Sequence, residues 1–339
     1  MRRRTVRITD VAREAGVSTA TVSRVLNGAP SVDPELAERV RAAAAATRYV
    51  PNSNGRALRR QRADIWAAVV SDVQNPFFTS LVTAVEHVAV SAGYSVMLCN
   101  TDEQLDRERA YLEAAIAQRM AGVVVSVTSE QHSDLTPLLD AHIPTVVVDR
   151  RVQGFTGDTI LMDNVEAGRL AGRHLLDLGH REVFTMAGPS GVSTTEDRLL
   201  GIREVLEAAG LPMQGRHLVR TDLKADEAET AVRAMLDRAD RPTAIFASNG
   251  PLSTGAYRAI QRSGFRMPDD ISLLGVDDER WTTMVNPNLT LIAQPVEALG
   301  RLAAERLLAR AADDQTEAVH VLMAPEMKVR GTTGPVPAS

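Results

Sequence analysis

The stretch Thr19-Ala20-Thr21-Val22-Ser23-Arg24 sets hydroxyls, a methyl group and a guanidinium close together. Those groups suit the edges of base pairs. Arg24 can donate twice to a guanine, while Thr19 and Ala20 offer a hydroxyl and methyl contacts, for instance to a thymine methyl. A second set of polar and aromatic residues follows apolar runs further along: Asn75-Pro76-Phe77-Phe78, Asp149-Arg150, Asn249 after Phe246-Ala247-Ser248, and Asp277 after Leu273-Leu274-Gly275-Val276. A polyol site needs an aromatic face, carboxylates that accept from hydroxyls, and Arg or Asn donors. Each residue also has a plainer reading: Phe77 and Phe78 as core, Asp149 and Asp277 as loop caps. Catalytic chemistry is not arranged in the same way. Gly188-Pro189-Ser190-Gly191 lacks the spacing of a nucleophile elbow, no dinucleotide or phosphate-loop glycine motif occurs, and the seven histidines show no metal-ligand spacing. No enzyme, metal or cofactor is expected.

The elements that would position the first set are short helices. Thr9 is expected to cap a helix over 10–15, which Gly16 stops; Ser18 caps a second over 19–26, ending at Asn27-Gly28. Two short helices with a glycine turn make a helix-turn-helix, whose second helix enters the major groove. A third helix starts at Asp33-Pro34, with Leu36, Val40 and alanines 43 to 46 as its apolar face.

Charge supports this placement. Residues 1–62 hold thirteen arginines against five acids, a net of +8 in a chain of −5, so the remainder carries −13. A basic head attracts the phosphate backbone and an acidic body is repelled by it. Of 339 residues 44% are hydrophobic and 24% charged, a globular balance with length for two or three domains. No apolar run is long enough for a membrane span. The arginines near the start are followed by Thr9-Asp10 and Arg13-Glu14 rather than an apolar stretch, so export is not expected. The single cysteine, Cys99, reads as a small buried hydrophobe in a reducing cytoplasm.

From residue 64 strands alternate with helices. Strands read at 65–70, 94–98, 122–127 and 144–148, then at 183–187, 243–247 and 271–276. Helices fall near 77–92, 105–119, 165–178, 195–209, 226–238 and 251–263. Such alternation indicates two parallel-sheet α/β lobes, with ligand outside the strand carboxyl ends.

Ile8 to Ser18, then Thr21-Val22-Ser23-Arg24-Val25-Leu26-Asn27-Gly28, then Tyr49-Val50-Pro51-Asn52, closely resemble the LacI/GalR family of bacterial repressors. The resemblance implies an all-α helix-turn-helix head on a two-lobed sensor similar to type I periplasmic binding proteins. It places the DNA-binding domain at 1–48 and a hinge helix or linker at 49–63. The N-terminal sensor lobe would be 64–163 with 294–323, the C-terminal lobe 164–293 with 324–332, and the tail 333–339. A helix near 296–310 and a strand at 318–323 would return to the first lobe. DNA contacts are then expected from Thr9, Ser18, Thr19, Ala20, Thr21, Ser23, Arg24, Asn27, Tyr49, Asn52, Arg56 and Leu58. Leu58 matches the family's minor-groove wedge, which kinks the operator. Two departures bear on the hinge: Gly55 replaces the usual alanine, at a helix cost of about 1 kcal/mol, and Thr47-Arg48 precedes Tyr49 where a leucine and a small residue are usual.

The sensor positions also resemble the pentose site of ribose-binding proteins: Asn75, Phe77, Phe78, Asp149, Arg150, Arg198, Asn249, Asp277 and Gln294. Arg198 could instead be a structural ion pair. Purine-sensing members carry an aromatic residue at Arg150 and a basic one at Val192, which disfavours a purine. Gly250 departs from the usual aspartate. The expected function is a cytoplasmic repressor, nucleoid-associated when bound, that recognises a palindromic double-stranded operator as a homodimer and responds to a small sugar. An architectural regulator without effector response and a corepressor-type regulator are the alternatives. The end of the chain shows no leucine heptads of the kind that join some relatives into tetramers.

Overall fold

The computed structural model describes residues 6–26, 32–49, 62–213, 215–312 and 316–336. The chain divides into two compact units, Met1–Ala63 and Asp64–Ser339.

In the first unit, α1 (Ile8–Ala15), α2 (Thr19–Leu26) and α3 (Pro34–Thr47) pack around Val11, Ala15, Val22, Val25, Val40 and Ala43. Gly16 closes α1 at φ 66°, where a glycine adopts left-handed backbone at no steric cost. Arg39 donates to the Ala15 carbonyl at 2.8 Å, tying α3 to that end. The Ser18 hydroxyl accepts from Thr21 N–H at 3.1 Å, and Asp33 accepts from the Glu35 and Leu36 N–H groups at 3.0 Å each. Thr9 is not a cap. Helix α1 begins two residues earlier, at Ile8, and the Asp10 carboxylate accepts from the Arg7 N–H at 2.9 Å, so a carboxylate in the first turn does the work assigned to the hydroxyl. The apolar face of α3 is narrower than expected. Ala37, Val40, Ala43 and Ala44 are buried while Leu36 is half-buried and Ala45 and Ala46 are exposed, as the helical period dictates.

The second unit is a two-lobed α/β body. Its first sheet holds β1 (Ala63–Val70), β2 (Ser95–Asn100), β3 (Met120–Val125), β4 (Thr145–Val148), β5 (Asp158–Met162) and β11 (His320–Met323), in the order β11-β5-β4-β3-β1-β2. Its second holds β6 (Val183–Ala187), β7 (Leu218–Arg220), β8 (Ala244–Ala247), β9 (Ser272–Val276), β10 (Thr290–Ala293) and β12 (Glu326–Lys328), in the order β12-β10-β9-β8-β6-β7. The registered pairs are parallel except β10 with β12. Both sheets are covered on both faces, which is why runs such as Val123-Val124-Val125 read as continuously apolar. Helices α4 (Pro76–Ser91), α5 (Leu105–Ala117), α6 (Thr136–Asp140) and α11 (Val296–Ala311) pack on the first sheet's side. Helices α7 (Asn164–Asp177), α8 (Ser193–Ala208), α9 (Ala225–Leu236) and α10 (Gly250–Arg262) belong with the second. The chain thus crosses back late, α11 and β11 returning to the first sheet. Five elements, β5, β7, β10, β12 and α6, were not legible as such in the sequence. Cys99 is buried, and burial pushes its thiol up to about 11. No helix among the described residues is long and apolar enough to cross a membrane.

Candidate functional site

In the head, Thr9, Ser18, Thr19, Ala20 and Arg24 are exposed, and Thr21 and Ser23 half-exposed. The buried residues of α2 are Val22 and Val25, so its opposite face carries the hydroxyls, the Ala20 methyl and the Arg24 guanidinium outward. Ser18 and Thr21 share a hydroxyl hydrogen bond of 2.9 Å. Tyr49 is half-buried and packs against the head's core. Arg48 takes left-handed backbone, φ 53°, and Thr47 bonds back to the Ala43 carbonyl at 2.7 Å. Asn27, Asn52, Arg56 and Leu58, with Gly55, lie outside the described residues.

In the body, all nine effector candidates line one cavity: Asn75, Phe77, Phe78, Asp149, Arg150, Arg198, Asn249, Asp277 and Gln294. Its volume is about 30 Å³, and it adjoins an outer cavity of about 720 Å³ whose walls share Asp72, Glu103 and Leu223. Asn75 and Asn249 sit at helix starts, where their side chains accept from the Phe77 and Leu252 N–H groups at 3.0 and 2.8 Å. Phe77 and Phe78 meet edge to face, centroids 5.1 Å apart. They belong to the first lobe's core and also line the cavity, so the two readings of them are compatible.

Asp149 and Asp277 follow β4 and β9 with φ of 66° and 76°, left-handed backbone that a non-glycine residue rarely takes and that clusters at functional sites. Burial pushes the Asp149 carboxyl up, against the pull of the Arg150 and Arg198 guanidiniums and a hydrogen bond from Ser126 at 3.1 Å. Asp277 accepts from the Gly250 N–H at 2.9 Å and from Gln294 Nε2 at 2.6 Å. Arg198 donates to Asn164 Oδ1 at 2.8 Å and to the Ser248 carbonyl at 2.6 Å; burial pulls its guanidinium down, and Asp277 and Asp149 oppose that. Arg150 is bound end-on by Glu103, both contacts 2.7 Å. Burial would lower the Arg150 guanidinium, and Glu103 outweighs it.

The lobes are joined across the cleft by ions. Lys224 Nζ lies 2.6 Å from Asp72 and 3.7 Å from Asp102, Arg151 pairs with Asp197, and Arg151 N–H donates to Ser193 Oγ at 3.2 Å. Among the described residues no group of histidines, cysteines and carboxylates could hold a metal ion.

Residues 7–52 match the family model described as bacterial regulatory proteins, lacI family, and residues 64–328 match periplasmic binding proteins and sugar binding domain of LacI family. The chain belongs to the LacI family. It is 35% identical over 326 residues, 96% of each chain, to a ribose operon repressor of Halalkalibacterium halodurans (strain C-125). It is 33% identical to the transcriptional repressor PurR of Proteus mirabilis (strain HI4320), over 95% of each. Among solved structures the lac repressor dimer bound to operator and the anti-inducer ONPF superposes with a TM-score of 0.86 at 27% identity, covering 98% of this chain and all of that one. As a LacI-family member the chain is a DNA-binding transcriptional repressor with a sugar-binding type of effector domain, and its relatives are regulators rather than enzymes.

Within this LacI-family body the cavity contains residues that sequence reasoning missed: Asp72, Glu103, Thr194, Thr195 and Leu223, with Asn164 and Ser126 behind them. Asp72 lies two residues past β1, so the strand-end argument that found Asp149 could have found it. Glu103 and Leu223 each lie three residues past a strand end, and β7 was not read as a strand. The family's usual aspartate at position 250 is displaced here by a neighbour. A Cβ on Gly250 would stand 2.3 Å from Glu279 Oε1, so the Glu279 carboxyl occupies that space.

Proposed function

We propose that this repressor binds a palindromic operator as a homodimer in the cytoplasm, on the nucleoid while bound, and is released by a small neutral polyol, a free pentose such as ribose, held between its lobes. Thr9, Ser18, Thr19, Ala20, Thr21, Ser23, Arg24, Asn27, Tyr49 and Asn52 are the head's DNA contacts, with Arg56 and Leu58 serving the hinge over 49–63. The lobes take the boundaries 64–163 with 294–323 and 164–293 with 324–332. In the cleft, Phe77 and Phe78 face the sugar ring. Asp149 and Asp277 accept from hydroxyls, and Arg150, Arg198, Asn75, Asn249 and Gln294 donate to oxygens.

One observation carries the reading: three buried carboxylates, Asp72, Asp149 and Asp277, and two buried guanidiniums converge on one small cavity beside two aromatic rings. A ligand with oxygen on every carbon can use their remaining donors and acceptors, whereas an apolar face offers none and a purine fewer. The relative named ribose operon repressor supports it, and the one named PurR pulls the other way. An inner cavity of about 30 Å³ has room for only a few water-sized groups. A pentose therefore enters only as the lobes part around the Lys224–Asp72 and Arg151–Asp197 pairs, and its binding shifts the balance of lobe arrangements that sets operator affinity.

Titration calorimetry against pentoses, hexoses, sugar phosphates, disaccharides and purines tests the effector class. Binding of a pentose in preference to the rest is expected. Tight binding of a purine or disaccharide with pentoses silent contradicts the reading; a hexose preference keeps the site and changes the ligand's size.

A further inference from the structure

Both terminal nitrogens of Arg150, a cation lining the inner cavity, are taken by one carboxylate: Nη1 and Nη2 each lie 2.7 Å from a Glu103 oxygen. The pairing is planar and bidentate, the arrangement in which a guanidinium would otherwise grip a ligand's carboxylate or phosphate. The backbone that presents Glu103 is costly. Asp102 and Glu103 are consecutive non-glycine residues in left-handed conformation, φ 52° and 57°, held by Glu103 N–H donating to the Ser71 carbonyl at 3.0 Å. Anchoring Arg150 does not require this, because its Nη1 already donates to the Val127 and Thr128 carbonyls at 3.2 Å each. What Glu103 adds is a charge at the wall shared by the inner and outer cavities. Asp72, Glu103, Asp149 and Asp277 set four carboxylates around the inner cavity against the guanidiniums of Arg150 and Arg198. Among the described residues the one Arg150 nitrogen left without a hydrogen bond is Nε, buried and 3.7 Å from Asp149 Oδ2. It suits a single neutral oxygen and cannot act as a fork.

We propose that Glu103 is a specificity-determining residue: by occupying the forked end of Arg150 it restricts the effector to neutral polyols and excludes sugar acids and sugar phosphates. The inference rests on the reading of the cleft as a polyol site. Removing the Glu103 charge frees a guanidinium fork that an anionic sugar can use, while Val127 and Thr128 keep Arg150 in place.

Calorimetry of the full chain with D-ribose, D-ribonate and ribose 5-phosphate, for the wild type and for Glu103→Gln and Glu103→Ala, tests this, with thermal melting to confirm folding. The wild type is expected to bind ribose and reject both anions. Each variant is expected to gain about tenfold or more in affinity for ribonate or the phosphate, the scale of a freed charge-assisted pair. A wild type that binds either anion as well as ribose overturns the proposal even if both variants fail to fold. So does a folded variant that gains nothing for either anion. If no neutral pentose binds the wild type, the pentose reading fails alone, and the gain or absence of anion binding in the variants still decides the role of Glu103.

Discussion

The Glu279 carboxyl stands over the first residue of α10, Gly250, so closely that its Oε1 would be 2.3 Å from a Cβ there. The same carboxyl accepts from Trp281 Nε1 at 2.7 Å through Oε2, while Oε1 is buried and makes no hydrogen bond among the described residues. Gly250→Ala is therefore expected to destabilise the body, because Glu279 must move and Asp277 Oδ2, 3.0 Å from that Cβ, is pressed as well. In a Glu279→Ala background most of that cost disappears. A double-mutant cycle on thermal or denaturant unfolding should give a coupling of about 1 kcal/mol; strictly additive effects would show that the contact is not felt.

The same residue gives the body a pH dependence. Burial first, then the charge of Asp277, pushes the Glu279 carboxyl up to about 7 from an ordinary 4.5, with the Trp281 hydrogen bond opposing. The folded state thus binds this proton more tightly than the unfolded chain, and its contribution to stability falls as pH rises from about 4.5 to about 7. Glu279→Gln is expected to remove that loss. Its stability relative to the wild type should rise across this window and level off above it. A difference that stays constant with pH would contradict the assignment.

Arg24 projects from the exposed face of α2. Arg24→Ala is expected to cost about 1–3 kcal/mol in operator binding and to relax one base position in each half-site. Binding measured across single-base operator variants checks this. Equal weakening on every sequence would make Arg24 a phosphate contact instead.

Much of this arrangement was legible because it is written locally. Gly16, Ser18 and Asp33 end or begin helices through groups within a few residues, and Asp149 and Asp277 follow apolar runs that could only be strands. What could not be read depends on distant partners. Strand β5 opens on Asp158, an unpromising strand residue, whose buried carboxylate is met by Arg310 at 2.8 Å and Arg306 at 3.4 Å from α11. Burial would raise that carboxyl; Arg310, the Val319 N–H and Arg306 overcome it and hold it at about 2. Glu103 was missed for the same reason, since its partner Arg150 is 47 residues away. Thr9 was misread because a hydroxyl before an apolar pattern and a carboxylate within the first turn are equally good helix starts in sequence, and the backbone used Asp10. The exchange of Gly250 and Glu279 also spans a helix, a loop and a strand, so position 250 alone showed a departure without its compensation.

Operator release in the Asp277→Ala variant shows whether the cleft controls the head. Asp277 reaches Gly250 and Gln294 from the end of β9, within the second unit, Asp64–Ser339. Fluorescence anisotropy on an operator duplex selected by the protein itself would be followed as ribose or a related pentose is added. If the cleft controls the head, the wild type releases the duplex, while Asp277→Ala binds it as tightly and ignores the pentose. Release of both proteins alike, or release of the wild type only by a purine or a disaccharide, would contradict it.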